Sequence, residues 1–241
     1  MKIIKKILMV MTNIIFFSLL IIFFGSSDQV FKKYKISSDS TFVPKDKIVS
    51  ILDNYFTKDS LNINYNNIEK TLKSNPHIKK ATLYKDLIGN LNVIVNQFQP
   101  IARIVYENKS KKYFDIDGEL FPTSLNYSHR VPLIFLPSKI NFLNNNLINS
   151  EFGFDLLNMV KYIENDKFLS KIVSEIEVDN YKNIIIRPQI SKQKIIFGYP
   201  DDLVNKFKKI KIFYEDIAPA KGWNTYSTVN VKYRNQIICD K

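Results

Sequence analysis

A chain of 241 residues, 45% hydrophobic and 13% aromatic, has room for about two modest domains with buried cores and does not have a disordered composition. Its formal net charge of +12 is carried mainly by lysine. Arg103, Arg130, Arg187 and Arg234 are the only arginines, a poor complement for reading nucleic-acid sequence through bidentate guanidinium contacts. Cys239 is the single cysteine, which excludes an intrachain disulfide and a thiolate metal cluster.

The chain opens with Lys2, Lys5 and Lys6, followed by an uncharged apolar run over residues 7–24 broken only by Thr12, Asn13 and Ser18. Without those three lysines the +12 total falls to +9 on the remainder. At about 1.5 Å per helical residue the run nearly crosses a hydrocarbon core about 30 Å thick. A cleaved signal peptide would have a shorter apolar core, although Gly25-Ser26-Ser27 supplies a passable cut. The length favours a retained single-pass anchor over residues 1–27. The lysines place its short side in the cytoplasm and the body outside it, at the cytoplasmic (inner) membrane.

A compact unit follows over residues 34–104. An extended piece near Tyr34 leads to Pro44-Lys45-Asp46, which opens a helix with Ile48, Ile51, Leu52, Tyr55 and Phe56 on one face. Asn66 or Asn67 is expected to cap a second helix, with Ile68 and Leu72 inward and Asn75-Pro76 as its stop. Residues 78–84 and 91–98 read as a hairpin turning at Gly89-Asn90, giving the order β-α-α-β-β of a POTRA domain. His77 has no nucleophile or base near it in sequence and reads as a turn histidine.

Gln99, Pro100, Ala102 and Arg103 read as the joint between two domains. The apolar parity changes there, and Pro100 lacks the amide that a central ladder uses, so a bend, a bulge or an exit from a sheet edge is expected. Pro100 would fix the exit angle and Ala102 would permit close approach, either for domain orientation or for a second partner contact. Asp117-Gly118, between Tyr113-Phe114 and Leu120-Phe121, signals a tight hairpin.

The second unit, residues 105–241, reads as a β-rich mixed α/β domain. Helical spacing places Phe152, Leu156, Met159, Val160 and Ile163 on one face, and Leu203, Phe207, Ile210 and Tyr214 on another. Residues 172–178, 184–187 and 194–197 are Ile- and Val-rich strands. From 226 to 239 the chain alternates without a break: Val229, Val231, Tyr233, Ile237 and Cys239 share one parity, and Thr228, Asn230, Lys232, Arg234 and Gln236 the other. One long strand at a sheet edge is expected.

No phosphate-binding loop, nucleophile elbow or zinc spacing occurs, so no catalytic residue, metal ligand or cofactor is assigned. Asp115 and Asp117 lie two apart at a turn mouth, where turn chemistry accounts for them. Trp223 reads as a packing residue of the loop before the last strand or, if exposed, as an interface anchor.

The order of basic tail, single apolar run, β-α-α-β-β unit, Pro100-Ile101-Ala102-Arg103, the 113–121 hairpin and the closing Val229-Asn230-Val231-Lys232-Tyr233-Arg234-Asn235-Gln236 strand resembles the bacterial cell-division family FtsQ/DivIB. Residues 75–81, entering the hairpin of the first unit, resemble the corresponding family segment. The resemblance implies a non-catalytic scaffold at the division septum that joins early and late division proteins by binding FtsB- and FtsL-like partners, with neither nucleic acid nor a small-molecule substrate. Carried onto this chain, it places partner contacts at Lys232 and Tyr233, with Val231, Arg234, Asn235, Gln236, Ile237 and Ile238 along the same docking edge. Two other classes compete with this one. A POTRA-containing polypeptide-transport component would ordinarily be joined to a transmembrane barrel that this chain is too short to supply, and an anchored envelope enzyme needs a catalytic constellation.

Overall fold

In the computed structural model, which describes residues 11, 14–18, 34–38, 42–56, 64–108, 110–125, 127–142 and 145–241, the body of the chain is built on two sheets. Most of the apolar run over 7–24 lies outside the described residues. Residues 11 and 14–18 are helical, and no helix among the described residues is long and apolar enough to cross a membrane.

The first domain comprises β1 (Tyr34–Ser38), α1 (Lys45–Phe56), α2 (Tyr65–Lys73), β2 (Ile78–Lys85) and β3 (Leu91–Gln97). The strand order is β1-β3-β2, with β1 parallel to β3 and β2 antiparallel to it. Alternation along β3 buries Leu91, Val93 and Val95 against Ile48 and Leu52 of α1 and Ile68 and Leu72 of α2, all fully buried. The cap of α2 is Asn64 rather than Asn66 or Asn67. Its side chain accepts the Asn67 N–H at 3.3 Å, so the helix begins two residues earlier than its apolar pattern indicates. The β2–β3 turn is held by Asp86, whose Oδ1 accepts the N–H groups of Ile88 (3.0 Å) and Asn90 (2.7 Å), while Gly89 takes a φ of 94°. At the far end of β3, buried Gln97 donates to Val43 O (2.8 Å) and Ser38 Oγ (2.9 Å) and accepts from Val43 N (2.7 Å). This amide joins the chain leaving β1 to the end of the sheet.

Only Phe98 and Gln99 separate β3 from β4 (Pro100–Tyr106), which belongs to the second sheet. The change of domain therefore falls at 98–99, not after residue 104, because residues 100–105 pair with the second sheet. β4 is interior, between β5 (Lys111–Asp115) and β7 (Leu133–Leu136), with β6 (Leu120–Pro122) beyond β5. Pro100 is accommodated as the first residue of β4, where the register slips between Pro100 and Ala102.

The chain then forms a short 3-10 turn (Leu147–Asn149), α3 (Glu151–Asn165), α4 (Leu169–Ile172), β8 (Val173–Val178), β9 (Ile184–Pro188) and β10 (Lys194–Gly198). After α5 (Leu203–Ile212), a π-helical turn (Phe213–Ile217) leads into α6 (Ala218–Lys221), then β11 (Thr228–Asn230) and β12 (Ile238–Asp240). The nine strands lie in the order β12-β11-β10-β9-β8-β7-β4-β5-β6. The β4/β7, β7/β8 and β10/β11 pairs are parallel, with α3 in the β7–β8 connection and α5 in the β10–β11 connection. The rings of Tyr162 and Phe207 stack at 4.9 Å, bringing α3 and α5 together. The inward residues expected on α3 are all buried; on α5 Phe207 and Ile210 are buried, as is Tyr214 in the following turn.

The long closing strand is not continuous. It breaks into β11 and β12, which pair antiparallel as Thr228↔Asp240, Val229↔Cys239 and Asn230↔Ile238, with residues 231–237 forming the connection. The alternation lapses within this connection, where Asn235 occupies an apolar-parity position and the chain turns at 234–235.

Candidate partner-docking edge and interdomain joint

Val231 marks the end of regular pairing: its side chain is fully buried and its N–H donates to Ile196 O at 3.0 Å. Asn230 Oδ1 then accepts the Lys232 N–H at 3.0 Å, starting a local turn. Lys209 on α5 completes it. The lysine is only 8% exposed, and its ammonium donates to the carbonyls of both Val231 (2.5 Å) and Tyr233. Burial lowers the Lys209 pKa, Asp202 opposes that shift and Lys206 adds to it.

The turn exposes Lys232, Tyr233, Arg234, Asn235 and Gln236, with Ile237 packed partly against the core and Ile238 opening β12. Tyr233 is 44% exposed and does not sit in the core; Lys232 Nζ lies 5.5 Å from its ring centroid. The Lys232 stem crosses Gly198, where an added Cβ would lie 2.9 Å from Lys232 Cδ and Cγ, and Gly198 has a φ of 77°. Among the described residues β12 has β11 on one side and no strand on the other, making it one margin of the nine-stranded sheet. The single edge strand expected over 226–239 is thus two short strands, 228–230 and 238–240, with 231–237 connecting them.

The joint residues have separate roles. Ala102 is fully buried in the core of the second domain, so its side chain presents no surface there. Pro100 is buried and Gln99 exposed. Arg103 holds the 123–132 loop: its guanidinium donates to Tyr113 Oη, to Ser128 Oγ (2.6 Å) and to His129 O (3.2 Å), over the Tyr113 ring at 4.7 Å.

Other residues weld the domains. Tyr113 and Phe121 are buried in the first domain's hydrophobic cluster, where both meet Phe42 edge-on. Phe98 stacks on Phe121 at 4.7 Å. His77 stacks on Phe42 at 5.1 Å, and its Nε2 lies 3.1 Å from Pro122 O, so it is an interface residue and not merely part of a turn. Lys79 of β2 pairs with Asp115 at 2.5 Å, with Asp117, and with Glu119 at 3.9 Å. Asp115 Oδ1 also accepts the N–H groups of Asp117 and Glu119, each at 3.0 Å, which is the expected turn chemistry with a cation added from the other domain. Trp223 is 45% exposed and stacks against Tyr214 at 6.1 Å, while its carbonyl accepts from Gln193. Among the described residues, no group of three or more His, Cys, Asp and Glu is placed to hold a metal ion.

A parallel-edged β-α-α-β-β domain joined within two residues to a large mixed sheet with a free margin defines an α+β, two-domain protein of the POTRA-bearing class. Family models resolve it in the same two parts: a POTRA-like domain matches residues 33–96, and the family described as FtsQ/DivIB, C-terminal related, matches residues 99–240, more than half of the chain. The chain belongs to the FtsQ/DivIB family of cell-division proteins. No individual curated protein matches it at a significant level.

Proposed function

We propose that this chain is a non-catalytic, single-pass scaffold of the bacterial divisome, held in the cytoplasmic membrane by residues 7–24, with its body outside the cytoplasm. It links early and late septal proteins by receiving FtsB- or FtsL-like segments at the β12 margin. The observation that carries this reading is that β12 closes the sheet with no neighbouring strand on its outer side among the described residues. A partner segment adding one strand satisfies the backbone groups of such a margin, while alternate side chains set specificity. Beside it, Lys232 offers a cation for a partner carboxylate, and Tyr233 offers a large contact surface with few rotatable bonds. Lys209 keeps both presented by holding the carbonyls on either side of Lys232.

The test is capture of purified FtsB- and FtsL-like partners by the immobilised full-length protein. Lys232→Glu weakens capture about tenfold at an unchanged melting temperature, because the side chain is exposed. Deleting residues 236–241 removes β12 and weakens capture further. Undiminished capture by both variants refutes docking at this margin.

A further inference from the structure

The β2–β3 turn of the first domain carries two aliphatic side chains that touch almost nothing: Leu87 is 107% exposed and Ile88 is 83% exposed. Water-facing Leu and Ile side by side on a hairpin tip stabilise no core, and the turn does not need them. Its geometry is set by Asp86, Gly89 and Asn90. Their position in the fold gives them a use. Because β1 runs parallel to β3 with Tyr34 opposite Leu91, the chain enters the domain at the same end as this tip. Tyr34 and Lys35 from the entry and Asp86, Asn90 and Asn92 from the turn line one hollow of about 430 Å³. The joint to the second domain lies at the opposite end of β3, seven residues or about 23 Å away.

We infer that the 86–90 hairpin tip is a membrane foot, with Leu87 and Ile88 seated in the headgroup and upper acyl region of the lipid bilayer. The inference rests on the proposed reading that residues 7–24 are an anchor. Nine residues separate the end of that run from Tyr34, and nine residues reach at most about 30 Å even when extended. The entry end of the domain is therefore tethered close to the lipid surface, and the tip is the part of that end with unpartnered apolar side chains. Lys35 and Lys85 are exposed around it, and Lys32 and Lys33 precede it in sequence. Of the nearby acids, Asp86 accepts the turn's own N–H groups and Asp53 takes the Tyr34 hydroxyl. An apolar pair with Lys35 and Lys85 exposed beside it matches an interface whose hydrocarbon begins beneath anionic headgroups. Seating the tip adds a second attachment to a single tether and fixes which way the domain faces.

The test uses the full chain in protein-free vesicles of phosphatidylglycerol and phosphatidylethanolamine, with spin-labelled lipids that quench at shallow and deep positions. In a Cys239→Ser background, one fluorophore is placed in turn at Ile88→Cys, at Ile15→Cys in the apolar run, and at Tyr181→Cys in the β8–β9 turn, which lies at the end of the second sheet remote from the first domain. Expected is deep quenching at residue 15, shallow quenching at residue 88 and none at 181, with Leu87→Asp reducing the signal at 88 by about threefold or more. Quenching at 15 without quenching at 88 overturns the foot and leaves the anchor standing. Quenching at 88 that is indifferent to Leu87→Asp also overturns it, because proximity alone then accounts for the signal. No quenching at 15 overturns the anchor reading, and the foot falls with it.

Discussion

The ammonium of Lys79 in the first domain lies 2.5 Å from the carboxylate of Asp115 in the second, and Asp115 retains only 3% side-chain exposure. One lysine thus neutralises a buried acid at the mouth of the β5–β6 turn and ties two sheets that the backbone links through Phe98 and Gln99. Charge removal here is expected to be costly, because Asp115 would keep its two backbone donors and lose its cation. Lys79→Met lowers unfolding stability by about 2 kcal/mol, the figure reduced from that of a fully buried pair because Lys79 is 30% exposed. A urea midpoint equal to wild type would show that the aromatic contacts alone hold the joint.

His77 makes the joint sensitive to pH. Burial is the largest influence on its imidazole and lowers the pKa below the ordinary 6.5; hydrogen bonding to the Pro122 carbonyl opposes this, and Lys47 reinforces the lowering. The folded state therefore favours the neutral ring. Its contribution is fully present above pH 6.5 and is lost as pH falls through the depressed folded value, since the unfolded chain binds the proton first. Melting temperatures measured from pH 7.5 down to 5 are expected to decline. His77→Phe, which keeps a ring against Phe42, should flatten the part of that decline below pH 6.5.

Lys209 is expected to set the order of residues 231–238. Lys209→Met leaves the carbonyls of Val231 and Tyr233 without their donor and costs about 1–3 kcal/mol. Amide hydrogen exchange should accelerate selectively in the 231–238 segment, and partner capture should fall although no residue of the margin has changed. Slow exchange retained in that segment would show that the Asn230 turn suffices.

At the joint, Ala102→Arg and Gln99→Arg should separate sharply. Ala102 has no exposed surface, so an arginine there forces a cation into the second domain's core and costs more than about 3 kcal/mol, abolishing cooperative folding or nearly so. Gln99 is exposed, and an arginine there keeps its charge in water, so the protein still folds cooperatively at a melting temperature far above that of Ala102→Arg. A soluble, wild-type-stable Ala102→Arg protein would mean that β4 is not interior.

Sequence order reveals most where a structure is local. The helix faces of α1, α2 and α3 and the β2–β3 hairpin are written in periodicities of 3.6 and two, and in Gly89 beside Asn90. The break between β11 and β12 is not. Residues 231–237 contain neither Gly nor Pro, and only Asn230 and Asn235 hint at a turn, while the buried restraint on the bend is a lysine 22 residues upstream. The domain weld is hidden for the same reason: Lys79 reaches a carboxylate 36 positions away, and His77 reaches a carbonyl 45 away. Pro100 is instructive in a different way. Its missing amide suggests an edge, but a strand's first residue in a slipped register is an equally good place for it.

Because Tyr113 and Phe121 are buried in the first domain's cluster, that domain cannot complete its core when its own last strand has been made. As the polypeptide grows from the ribosome, residues 34–97 emerge with the flank around Phe42 and His77 uncovered. They wait for at least two dozen more residues, a delay of about 1–5 s at ordinary elongation rates. Through that interval the unfinished aromatic flank offers a binding surface to any chaperone that meets the nascent chain. The two units, separable as sequence, are expected to pass from chaperone dependence to independence together.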